Sequence, residues 1–179
     1  MITEKEIQEA ISFVEKAGIE KNQELFSKTR DIFQARIDTF TSRSSKFLES
    51  AIIAELGNNT FDHNFIFDEK HSRGAFFYFD EINTVILADY GQGIKNSLSN
   101  LYNLSSDLDA IKLAFLEHVT SRSKENRGNG LKFVTDSVIE NNFELFLQSG
   151  TGCCHIEQKQ INFYNRSDSI IGCLIIFKF

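Results

Sequence analysis

Proline and tryptophan are both absent from this 179-residue chain, and methionine occurs once. Without proline the commonest helix breaker is missing, so turns fall to Gly, Asn, Asp and Ser. Cysteine is scarce as well, with three residues of which Cys153 and Cys154 are adjacent. An odd number cannot pair completely within the chain, and neighbours make poor disulfide partners, which points to reduced thiols in the cytoplasm. No run is long and apolar enough to span a membrane, and the opening MITEKEIQEA lacks the basic-then-apolar order of a secretory signal. Positive charge is also in deficit: 19 Lys and Arg face 25 Asp and Glu, for a net charge of -6. Broad binding to nucleic acid, which needs clustered cations to displace counterions from phosphates, is therefore not expected.

What is present is a globular composition, 41% hydrophobic and 25% charged, with 18 Phe. That is enough for one domain with a substantial core, read as soluble and cytoplasmic. Ile7, Ile11 and Val14 fall at helical spacing, and so do Phe26, Phe33, Ile37 and Phe40. A third helix is expected from Phe47 to about Asn64, after the Ser-rich segment TSRSSK. The period then changes, and AFFYF (75–79) and TVILA (84–88) read as strands of a hairpin. Ser106 and Asp109 form a capping-box pattern, opening a helix whose apolar stripe is Leu108, Ile111, Phe115 and Val119. SRSKENRGNG reads as a loop, and Leu131, Val134 and Val138 suggest another helix. FELFLQ, CCHIEQ, QINFYN and GCLIIFKF read as four further strands.

The third helix carries Glu55, Asn59 and His63 at four-residue intervals, each advanced by about 40° and 6 Å along one face. A carboxylate, an amide and an imidazole on one ridge can hold Mg²⁺, activate a water and meet phosphate oxygens. Asp89 ends a strongly apolar strand, so its carboxylate needs a partner at the rim of the core. An adenine amino group is one such donor, and Gly91 and Gly93 would let the backbone approach a flat base. Gly128 and Gly130 precede a helix, where free N–H groups and the helix dipole favour an anion, and Arg127 could add a charge-assisted contact. Each piece has an ordinary structural reading: an amphipathic helix, a tight turn, a solvated loop.

In order and spacing the three pieces, E-x-x-x-N-x-x-x-H, D-x-G-x-G-I and G-x-G-L, resemble the Bergerat-fold (GHKL) ATPases. That superfamily includes DNA gyrase B, the heat-shock chaperone ATPase, sensor histidine kinases and mismatch-repair ATPases. The resemblance covers about residues 45–179, and LADYGQGI with RGNGLKFV is similar to small stand-alone bacterial members. It implies an α/β two-layer sandwich with a mixed, largely antiparallel sheet covered on one face by helices, preceded by an N-terminal helical extension over residues 1–44. It further implies that Asn59 binds Mg²⁺, that Glu55 is the water-activating base, and that Asp89 recognises adenine with Gly91, Gly93 and Ile94. Gly128, Asn129, Gly130 and Leu131 would wrap the phosphates of ATP, and residues 95–126 would form a mobile lid. Asp62 matches the gyrase and chaperone pattern and His63 the kinase pattern, and both are counted with the nucleotide site. Cys173 stands where a threonine near the adenine is common.

The resemblance thus implies an ATP- and Mg²⁺-binding protein that is a slow ATPase with a regulatory protein partner. A kinase acting on a separate chain and a non-hydrolysing ATP sensor are the alternatives. No histidine precedes residue 63, so the first helices supply no phosphoacceptor of the histidine-kinase kind. Those Phe-rich helices read as core or as a homodimer contact. His71 and His118 read as surface or cap residues. A zinc site from Cys153, Cys154, His155 and Cys173 is disfavoured, because strand alternation turns Cys154 away from its neighbours.

Overall fold

The apolar residues of the first helix recur on one side only, and a helix built this way needs a surface to cover. In the computed structural model, which describes residues 1–19, 24–63, 75–79, 83–117 and 130–179, that surface is one face of a sheet. Of residues 17–19, 62, 63, 76 and 79 the backbone alone is described. The elements run α1 (Glu4–Ile19), β1 (Phe26–Ser27), α2 (Arg30–Ser44), α3 (Phe47–His63), β2 (Ala75–Phe79) and β3 (Thr84–Asp89). They continue with α4 (Gly93–Leu98), α5 (Asp107–Leu116), α6 (Gly130–Glu140), β4 (Glu144–Glu157) and β5 (Gln160–Lys178). The five strands form one sheet in the order β1-β2-β3-β5-β4 with every neighbouring pair antiparallel. The fold is thus a mixed α+β sandwich, and no helix among the described residues is long and apolar enough to cross a membrane.

Strand alternation divides the apolar side chains between two clusters. Val85, Leu87, Leu145, Leu147, Ile175 and Phe177 face the main core, where α2, α3, α5 and α6 contribute Phe33, Ile53, Ile111, Phe115 and Val134. The intervening Ala88, Phe146, Leu174 and Ile176 face the other way and pack on Ile2, Ile7, Ala10 and Val14. Continuous apolar runs in β3 and β5 follow from this, since both faces of these strands are covered.

Residues 1–44, read as one extension, are therefore divided. Helix α2 joins the main core through Phe33, Ile37 and Phe40, while α1 is the one helix among the described residues that packs on the opposite face. Helices α2 to α6 contribute to one face of the sheet, and α1, from the N-terminal segment, packs on the other. Phe26, expected on a helix with Phe33, instead pairs with Phe76 in β1, and α2 begins at Arg30. The four strands read after residue 142 are two long ones. Gln158 and Lys159, both with positive φ (48° and 65°), form a two-residue turn, and irregular pairing from Ser149 to Gly152 keeps β4 continuous across SGTG.

The segment read as a lid, 95–126, contains most of α4 and all of α5. Ser106 caps α5 by accepting from the Asp109 backbone N–H at 3.1 Å, as the capping box requires. Ala110, Ile111, Ala114 and Phe115 of α5 are buried, with Ile111, Ala114 and Phe115 in the main core. Val119 and the rest of that segment from residue 118 onward lie outside the described residues.

Candidate functional site

Helix α3 turns its apolar side, Ile52, Ile53 and Leu56, into the core and carries its polar residues along the border. Glu55 is exposed and Asn59 half-buried, and no hydrogen bond links the Asn59 amide to the described residues. Thr60, one position further round the helix, reaches inward. Its hydroxyl donates to Asp89 Oδ2 at 3.0 Å, joining α3 to the end of β3.

Asp89 is 8% exposed, and its Oδ1 accepts from the Gly91 backbone N–H at 2.8 Å. The Cys173 backbone N–H is a further donor to it. Burial raises the Asp89 pKa above its ordinary value, and the donors from Gly91, Thr60 and Cys173 oppose that rise only in part. When ionised, such a carboxylate offers about four acceptor positions, of which these donors take three. Asp89 is opposite Cys173 in the β3–β5 ladder. There Gly172, at φ +75°, lets β5 press on it: a Cβ on that glycine would lie 2.0 Å from the Asp89 carbonyl oxygen.

The two glycines after Asp89 serve differently. Gly93 has a positive φ of 76° and starts α4, whereas Gly91 is not among the positive-φ residues and contributes its N–H to Asp89. The Ile94 N–H donates to Ser149 Oγ at 3.0 Å, and that hydroxyl donates to the Gly172 carbonyl at 2.9 Å. Ser149 therefore ties the glycine turn to β4 and β5 at once. Gly91 and Gly93 also line a cleft of about 380 Å³ with Lys95, Asp107 and Ser149, and Glu55, Asn59 and Asp89 are not among its lining residues.

At the other end of the ridge, Gly130 starts α6 beside Glu55: a Cβ built on Gly130 would lie 2.6 Å from Glu55 Oε2. The carboxylate thus sits at a helix N-terminus, where its charge is favoured. Leu131 packs against the main core, as does Ile94. The structure therefore brings Glu55 together with Gly130, and Thr60 with Asp89, from elements far apart in sequence, while Asp89 and Gly91 meet within one turn. Asp62 and His63 end α3, but their side chains lie outside the described residues, as do Arg127, Gly128 and Asn129 entirely. His71 and His118 are outside them too.

Thr60 and Ser149 escaped the sequence reading. Thr60 follows Asn59 directly, so its place beside the polar ridge was the available signal; Ser149 had none. The cysteines do not converge on a ligand. Cys154 packs in the main core and Cys153 in the opposite cluster, and burial pushes the Cys153 thiol up to about 12 and that of Cys154 higher still. Thiols held protonated in this way are poor nucleophiles.

No protein-family model matches the chain, and no curated protein matches it.

Proposed function

We propose that the chain is a Bergerat-type nucleotide-binding protein that takes MgATP between α3, the turn after β3 and the start of α6, and hydrolyses it slowly. The observation that carries this reading is the buried Asp89 carboxylate, held by Thr60 from α3 and by Gly91 from its own turn, with one acceptor position to spare. A buried acceptor of this kind suits the exocyclic amino group of adenine. The phosphates would then extend along the ridge toward Glu55 and Gly130, whose proximity supports the same pocket.

Asn59 offers an amide oxygen free of described partners, which fits a hard cation such as Mg²⁺. When bound, the cation would offset the charge of the phosphates. Glu55, exposed beside the α6 N-terminus, would orient the attacking water and accept its proton. Gly91 and Gly93 shape the base-side wall, and Arg127, Gly128, Asn129, Gly130 and Leu131 are proposed for the phosphate side. Asp62 and His63 are proposed to border it. A regulatory protein partner is proposed to respond to nucleotide binding.

Phosphate release by purified protein with MgATP tests this directly. The wild type should turn over slowly, and Glu55→Ala should lower the rate by about 10²- to 10⁴-fold with ATP binding retained, the usual contribution of a general base. Asp89→Asn should weaken ATP binding itself by about 10- to 100-fold, as loss of a charge-assisted hydrogen bond does. ATP binding without turnover in the wild type would move the proposal to the same pocket acting as a kinase on a separate chain or as a sensor. No ATP binding would overturn it.

A further inference from the structure

The strand β4 bends so far between Ser149 and Gly152 that His155 returns to Glu144, eleven residues earlier on the same strand. His155 is 7% exposed, and its two ring nitrogens face two different carboxylates. Nε2 is 2.9 Å from Glu144 Oε1, a direct hydrogen bond. Glu144 also accepts from the Ile2 backbone N–H and lies 3.2 Å from the Met1 ammonium, two contacts that favour its ionised form. An ionised carboxylate can only accept, so this contact takes the Nε2–H proton of the ring, and in the tautomer that a metal would bind Nδ1 carries the lone pair.

Nδ1 is 3.9 Å from Glu157 Oε1, too far for a hydrogen bond. Two ligands on one tetrahedral zinc ion are about 3.3–3.4 Å apart, so the pair would close by about half an ångström on binding. The other Glu157 oxygen, Oε2, is buried and has no hydrogen-bond partner. A buried carboxylate oxygen left unsatisfied is costly, and a cation would remove the cost. His155 and Glu157 lie two residues apart on one strand and so share a face, and the donor atoms of Glu144, His155 and Glu157 are all within 4.8 Å of one another. A ligating imidazole whose second N–H is held by a carboxylate is the usual arrangement around protein-bound metals.

We propose that His155 Nδ1 and the Glu157 carboxylate form a Zn²⁺ site, completed by water, in which Glu144 is the positioning residue that fixes the imidazole tautomer. The site uses none of the residues assigned to nucleotide and stands or falls apart from that reading. Zinc fits better than magnesium because an imidazole nitrogen is a poor ligand for so hard a cation.

The test is calorimetric titration of the full chain with Zn²⁺ and, separately, Mg²⁺, together with NMR of the histidine ring nitrogens. One Zn²⁺ per chain should bind with a shift at Nδ1 of His155, and Mg²⁺ should not. His155→Ala and Glu157→Gln should each weaken Zn²⁺ binding at least about 10-fold, and Glu144→Gln by about 10- to 100-fold, as loss of an outer-shell partner does. Absence of Zn²⁺ binding in the wild type, or binding unchanged in Glu157→Gln with no shift at the His155 ring, overturns the proposal. Should His155→Ala fail to fold, Glu157→Gln and the ring shift decide the matter, because Glu157 is the most exposed member of the cluster.

Discussion

Asp89 is under opposing demands, one from folding and one from the proposed ligand. Burial raises its pKa above the ordinary value, so its favourable contribution to stability is complete below that ordinary value and is lost as pH rises through the folded pKa. At neutral pH the fold bears that loss. Asp89→Asn keeps the shape and an oxygen for the Gly91 N–H, and removes the titration. Urea unfolding at about pH 8 should therefore show the variant as stable as the wild type or more so, with the difference shrinking as pH falls toward the ordinary Asp value. A large loss of stability at about pH 8 would contradict this account. Gly57 makes a different case, since a Cβ there would lie 2.0 Å from Phe33 Cζ. The Phe33 ring is fully buried and packed by Phe61 and Phe77 at 5.7 and 5.9 Å, so it cannot swing aside. Gly57→Ala gains about 1 kcal/mol of helix propensity but incurs overpacking of about 1–3 kcal/mol, for a net loss of up to about 2 kcal/mol. Denaturant midpoints should show that loss, and Phe33→Leu in the same chain should recover part of it. The polar ridge and the aspartate at the strand end were legible because spacing and position mark them. The Thr60–Asp89 hydrogen bond was not, because it depends on how far α3 sits from β3, which no local pattern encodes.

Helix α1 is held by polar contacts at its edges as well as by its apolar side. Lys178 Nζ donates to Glu6 at 2.6 Å, Arg166 pairs with Glu4, and Gln8 Nε2 donates to Asp168 at 3.0 Å. The Lys178 hydrogen bond, with help from Thr3, holds the Glu6 pKa down to about 2. A depressed carboxylate adds stability that is present above its ordinary value and lost as pH falls through the folded one, here from 4.5 toward about 2. Glu6 is half-buried, with 37% of its side chain exposed, so solvent screening keeps the pair near the level of a surface ion pair, about 0.2–1 kcal/mol. NMR of the α1 amides should show this helix loosening across that interval before α3 does. Lys178→Ala should flatten the response, and an unaltered one would remove the pair from the account. The same scale explains which elements could be read in advance. The α5 cap is a local chemical pattern, Ser106 with Asp109, and the structure follows it. The two strands of the β4–β5 hairpin looked like four pieces because SGTG in β4 and RSDS in β5 interrupt their apolar runs without ending either strand.

The clusters on the two faces of the sheet are built from alternate residues of the same strands, and this decides how the molecule unfolds. Leu145 and Leu147 serve the helical face while Phe146 between them serves α1, and Ile175 and Ile176 divide in the same way. Neither cluster can lose its sheet without the other losing its own, so the two should melt together. Ile7 is 2% exposed in the α1 cluster and Ile52 fully buried on the other side. Ile7→Ala and Ile52→Ala should each cost about 2–5 kcal/mol, the range for emptying a buried aliphatic site. Periodicity alone showed that α1 has an apolar side, but not whether a second chain or the back of its own sheet covers it. In urea, each variant should show one transition, coincident by circular dichroism and tyrosine fluorescence, with its midpoint lowered and its slope unchanged. A separate early transition in Ile7→Ala would mean that α1 and its face form an independent unit. Its absence would mean that the first helix belongs to the same cooperative fold as the proposed nucleotide site, so that a mutation under α1 can weaken ATP binding through stability alone.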